Sequence, residues 1–163
     1  MGIQVKVGDV FLVPLDGKSW AVGQLVSSWN DELYVAIFGQ KVETQNVNPQ
    51  SVADLEPIFL ALTLDAKLFH GDWPIIGNVQ ANLASFPQPA FKVRQSGVVY
   101  IESRDRKFTR PASTSEAEQL IYRSVSSPAV VEKGVQAHFG LGDWSVHYDE
   151  FQSDYAAASS KLL

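Results

Sequence analysis

Val7-Gly8-Asp9-Val10-Phe11-Leu12-Val13-Pro14-Leu15-Asp16-Gly17-Lys18-Ser19-Trp20-Ala21-Val22-Gly23-Gln24-Leu25 places two apolar runs on either side of Asp16-Gly17. Asp-Gly tolerates positive φ at both central turn positions, so this spacing predicts a hairpin closed by a two-residue type I′ turn. In that register Leu15 faces Lys18, Val13 faces Trp20, Phe11 faces Val22 and Val10 faces Gly23, with an aromatic and branched ladder on one side. Gly23 leaves room for close packing. Leu12, Ala21 and Leu25 make the second face apolar as well, which predicts a hairpin buried on both sides.

Working outward, the polar cluster 27–32 turns the chain, and residues 33–38 read as a third strand of a meander ending at Gly39. Residues 40–57 are polar and rich in Asn, Pro and Ser, long enough for a surface excursion. Ile58, Leu60, Leu62 and Leu64 then alternate with Phe59, Ala61, Thr63 and Asp65, a long strand with one strongly apolar face. Phe86-Pro87-Gln88-Pro89 has the composition of a connector. Residues 91–95 and 98–102 flank Ser96-Gly97 as a second hairpin, and a short strand is expected around Phe108.

The last third changes character. Ser113-Thr114-Ser115-Glu116 has capping-box spacing, and Ala117, Leu120 and Ile121 follow at helical intervals. Ser127-Pro128 opens another helix, with Val131, Val135, His138 and Phe139 on one face and Gly140 as its stop. A final helix from Tyr148 to about Ala158 is rich in Ala and Ser and is expected to pack little and fray. Strands followed by helices specify an α+β fold: a strongly bent antiparallel sheet or partial barrel from the first two thirds, with helices grouped in the C-terminal third. The expectation is one domain over 1–163, strand-rich over 5–110 and helical over 113–158.

With 163 residues, 45% of them hydrophobic and 11% aromatic, the chain can bury a sizeable core. It has no cysteine, which excludes disulfides, thiolate nucleophiles and cysteine-ligated zinc. The N-terminus lacks a signal-peptide pattern and no apolar run approaches bilayer length, so a cytoplasmic protein without membrane association is expected. Lys6 stands where a myristoylation motif needs Ser or Thr. A net charge of -5 argues against nucleic acid as a partner, because such binding draws on Lys and Arg. Arg104-Asp105-Arg106-Lys107 reads as a solvated turn. His70, His138 and His147 show no ligand spacing, and His138 reads as a core residue of its helix. GxGxxG, Walker A and GxSxG patterns are absent, so neither cofactor, metal nor catalysis is expected.

Gly8, Asp9, Phe11, Pro14, Leu15, Trp20, Gly23 and Gln24, together with Gly71-Asp72-Trp73-Pro74-Ile75-Ile76-Gly77 and Gly142-Asp143-Trp144 followed by Tyr148-Asp149-Glu150, resemble the immunity protein 26 family. Members are encoded beside bacterial polymorphic toxins and are thought to neutralise them. The resemblance implies a non-catalytic protein that binds one cognate toxin, and an acidic chain suits a basic one. Trp29, in a polar turn beside Asp31 and Glu32, has the character of a protein-binding anchor, and Asp143, Asp149 and Glu150 are the second set of candidate contacts. Two rivals remain open. Gly8-Asp9-Val10-Phe11 also looks like the first strand of small β-barrel ribonuclease toxins of the PemK type, although no cationic or hydroxyl set accompanies it. A non-catalytic adaptor for another protein would read the same way. Oligomeric state is not legible.

Overall fold

The first hairpin closes through three residues rather than two. In the computed structural model, which describes residues 2–163, the backbone N–H of Leu15 donates to the Ser19 carbonyl at 2.9 Å and only Gly17 of the loop has positive φ (81°). Asp16 is the reason. Its Oδ1 accepts from the Lys18 backbone N–H at 3.0 Å and from Ser19 Oγ at 2.7 Å, so the side chain stabilises a wider turn. The register therefore moves by one: Phe11 faces Gly23, Leu12 faces Val22, Val13 faces Ala21 and Pro14 faces Trp20. This corrects the expected pairing and sorts the side chains differently, since a one-residue slip exchanges partners across the two faces. Phe11 now packs over Gly23, where an added Cβ would meet the Phe11 ring at 2.6 Å.

β1 (Asp9–Pro14), β2 (Trp20–Trp29), β3 (Glu32–Val42) and β4 (Pro57–Thr63) form an antiparallel meander, and β5 (Ile75–Asn78) adds to the far side of β1. The sheet order is β4-β3-β2-β1-β5. Register shifts occur between β2 and β3 twice, and once each in β3–β4 and β1–β5. Each extra residue bends its strand and raises the local twist, which curves the sheet without closing it. The 40–57 excursion carries a 3-10 turn over Pro49–Asp54. A second sheet, β6 (Ala90–Gln95), β7 (Val98–Ser103) and β8 (Thr109–Pro111), is antiparallel in that order. Its first turn pairs Gln95 with Val98 and has positive φ at both Ser96 and Gly97, as expected of a two-residue primed turn.

Both faces of the five-stranded sheet are buried. Phe11, Val13, Leu25, Ile37 and Phe59 share one core with Trp73, Val131, Val135 and Phe151. Val10, Leu12, Val22, Tyr34, Phe38, Leu60 and Leu62 share another with Val52, Phe91 and Ala156. β4 thus buries both its alternating rows, where one apolar face was expected, and Leu64 lies beyond its end and exposed. Trp73 is fully buried, stacks on Phe11 with ring centroids 5.3 Å apart, and donates from Nε1 to Glu132 at 3.0 Å.

Among the described residues the α-helices are, in chain order, α1 (Ala66–Phe69), α2 (Thr114–Gln119), α3 (Pro128–His138) and α4 (Ser153–Ser160). α2 has its full capping box, but it ends before Leu120 because the chain leaves to run beside β6, where Lys92 N–H donates to the Ile121 carbonyl. α3 begins with Ser127 accepting from the Val130 N–H and Pro128 in its first turn, and Gly140 follows its end with φ 79°. His138 is exposed and edge-on to Phe59 at 6.0 Å, not a core residue, because the helix ends at the rim of the sheet. The tail is also corrected: residues 146–151 form a 3-10 turn, and α4 docks instead of fraying. Tyr155 Oη donates to the Ala90 carbonyl at 2.6 Å, Ser159 Oγ accepts from the Ala90 N–H at 3.1 Å, and Ala156 is buried.

Candidate interaction surfaces

The β2–β3 turn sets the geometry of the first predicted surface. Trp29 pairs with Glu32, leaving Asn30 and Asp31 at the tip, with Asn30 at φ 51°. Asn enters that left-handed region more readily than most residues, which allows so tight a turn here. Trp29 is 43% exposed, and the Arg106 guanidinium lies 4.0 Å from its ring centre. Such stacking presents an indole in a defined orientation.

Glu32 is not a surface charge. Its side chain is 7% exposed; one carboxylate oxygen accepts from Arg123 Nη1 at 2.9 Å and the other from Arg106 Nη2 at 3.1 Å. Arg123 Nε donates to Glu102 at 2.6 Å, while its Nη2 donates to the carbonyls of Ser103 and Arg104. Both Glu32 oxygens and all three Arg123 nitrogens are thereby engaged, the condition under which a buried charge is tolerable, while Arg106 Nε is buried without a partner. The expected rim acid joins the two sheets instead. Arg104 belongs to the same region: it is 4% exposed, donates from Nε to Gln88 at 2.6 Å, and lies over the Tyr34 ring at 4.9 Å. Burial lowers its basicity, an effect countered first by Tyr34 and then by Asp105 and Glu32. Burial also pushes the Tyr34 hydroxyl well above its ordinary value, so it remains a proton donor to the Pro87 carbonyl at 2.8 Å. The 104–107 segment is therefore structural as well as solvated.

The second predicted surface lies on the loop after α3. Asp143 and Asp149 are exposed and Glu150 is half-buried. Asp149 accepts from Trp144 Nε1 at 2.9 Å, which holds an indole that is 41% exposed and stacked on Phe59 with centroids 6.2 Å apart. Among the described residues no hydrogen bond or ion pair joins this loop to the Trp29 turn; Trp29 pairs with Glu32 at the start of β3, whereas Phe59, beneath Trp144, pairs with Ile37 in the middle of that strand. The six predicted residues thus occupy two separate surfaces, with Glu32 beneath one of them.

A cleft of about 300 Å³ lies between the 52–57 and 79–86 segments over Gln24, whose Nε2 donates to the Val79 carbonyl at 3.0 Å. A groove of about 410 Å³, lined in part by Leu25, Asp31, Asp65 and Phe69, lies beside the β2–β3 turn. Sequence reasoning missed Asp65, and missed Arg123 as the partner of Glu32, since both act across long sequence separations. It also missed β5, for which Ile75-Ile76 after Pro74 was an available signal. Among the described residues no three His, Asp or Glu side chains gather as metal ligands, and no helix is long and apolar enough to cross a membrane.

These features define an α+β protein of two antiparallel sheets tied together by buried ion pairs. More specifically, the chain belongs to the immunity protein 26 family, whose family model matches residues 6–99, more than half of its length. No curated protein and no solved structure matches it. The matched segment contains the five-stranded sheet, β6 and the Trp29 turn; Arg123, α3 and the Asp143 loop lie beyond it.

Proposed function

We propose that the protein is a cytoplasmic immunity protein that binds one cognate bacterial toxin and blocks it without turnover. Family membership over residues 6–99 is the observation that carries this reading. Physical features agree with it. Two exposed indoles held in place by Arg106 and Asp149 provide large, preorganised anchors, and a net charge of -5 favours capture of a basic toxin such as a nucleic-acid-cleaving effector. A stable complex of ordinary size needs roughly 1,600 Å² of contact, more than either surface alone presents as a few side chains. The interface we assign therefore draws on Trp29 and Asp31, and on Asp143, Asp149 and Glu150. Glu32 contributes by holding the turn.

Co-expression with the toxin encoded next to this gene tests the reading: growth is expected to be rescued, and the two proteins are expected to co-purify. Trp29→Ala should mainly speed dissociation, whereas Asp143→Lys with Asp149→Lys should mainly slow association, since rim charges steer encounter. A neighbouring toxin that the intact protein neither binds nor neutralises overturns the proposal in favour of an adaptor role. RNA cleavage that follows the pure protein through successive columns would instead establish the ribonuclease alternative.

A further inference from the structure

The groove beside the β2–β3 turn combines features that occur separately elsewhere on the surface. Leu25 and Leu33 contribute its buried apolar floor, and Ile3 and Phe69, 46% and 40% exposed, contribute its open walls. Asp31 and Asp65 line it too, and no Lys or Arg does. Among the described residues neither carboxylate has an ion-pair or side-chain hydrogen-bond partner; Asp65 precedes α1 without capping it. Many of the protein's other acids are engaged, as at Glu32, Glu102, Glu116, Glu132 and Asp149. Trp29 does not line this groove; it lines a separate concavity with Arg104, Asp105 and Lys107, so the groove is a surface distinct from the Trp29–Arg106 stack.

An apolar trough with free carboxylates suits a side chain that is apolar along its stem and cationic at its tip. We infer that this groove seats an arginine or lysine side chain projecting from the partner toxin, an assignment that rests on the immunity reading. The stem covers Ile3 and Phe69, which otherwise expose apolar area to water. The cation is drawn to Asp31 and Asp65, which share the groove with no Lys or Arg among the described residues. Acidic net charge delivers the toxin, and the groove fixes its register.

Two measurements test this. In a titration of isotopically labelled protein with N-acetyl-arginine amide, saturable amide shifts are expected at Leu25, Asp31, Asp65 and Phe69, and are expected to vanish in Asp31→Asn/Asp65→Asn. Shifts of equal size around Asp143 and Asp149, or none at all, would overturn the groove as a cation seat. With the adjacent toxin, Asp31→Lys/Asp65→Lys should lower affinity about tenfold and flatten the salt dependence of association, with its melting curve confirming the fold. Should the reversal prevent folding, the isosteric Asn pair is compared with the intact protein at two salt concentrations. Toxin binding by the intact protein that neither variant changes removes the groove and leaves the immunity reading standing. No toxin binding by the intact protein removes both.

Discussion

Asp31 and Glu32 are sequence neighbours of the same charge, yet the fold gives them opposite circumstances. Asp31 is exposed on the turn, whereas Glu32 accepts from two guanidinium groups below the surface. Removing one member of a buried ion pair leaves its partners charged and desolvated, so Glu32→Ala is expected to cost about 3–5 kcal/mol. Asp31→Ala should stay within about 0.5 kcal/mol of the parent. Urea unfolding midpoints of the two variants measure the contrast; similar small losses would show that the Arg106 and Arg123 pairs contribute nothing net. The distinction was not legible locally, since a polar run 27–32 looks uniformly solvated until Arg123 arrives from ninety residues away.

Among the elements, α2 carries a clear pH signature. Its cap is reciprocal: Ser113 Oγ accepts from the Glu116 N–H at 3.1 Å and Glu116 accepts from the Ser113 N–H at 2.9 Å. Arg110 also donates to Glu116 at 2.9 Å, and this pair, followed by the Ser113 backbone bond, brings the carboxyl from its ordinary 4.5 to about 2. A carboxylate depressed in the folded state adds stability that is complete above the unfolded value near 4.5 and is lost as pH falls through about 2. Glu116→Gln should therefore lower the melting temperature slightly at neutral pH, and the difference from the parent should shrink between pH 4.5 and 2. Since the pair is solvent-facing, added salt should narrow it too. A difference independent of pH would assign the effect to helix capping alone. The cap itself was readable from Ser113 and Glu116, because both partners lie within one turn; Arg110, on β8, was not.

At the scale of the molecule, the family-matched segment ends at residue 99 while the structure that covers it continues. Val131, Val135 and Phe151 complete one core of the five-stranded sheet, Ala156 contributes to the other, and Arg106 and Arg123 satisfy Glu32. A chain cut to residues 1–99 is expected to lose cooperative unfolding and near-UV dichroism and to bind hydrophobic dyes, as a loosely packed state does. A truncated chain with a sharp transition of its own would show that the last third is an accessory to the sheet.

By itself the sequence determined the α+β class, the meander, the Ser96-Gly97 turn and the helix starts at Ser113 and Ser127, because each is written in alternation, turn chemistry or capping over a few residues. The family resemblance was carried by local stretches too, the first hairpin and the segments 71–77 and 142–150. Tertiary structure alone decided that the Asp16 side chain widens the first turn and shifts its register, that α4 docks on Ala90, that Glu32 is buried, and that Asp31 and Asp65 share a groove. Those outcomes depend on how one segment's free donors, acceptors and apolar area meet those of another far along the chain, and no local pattern records that meeting.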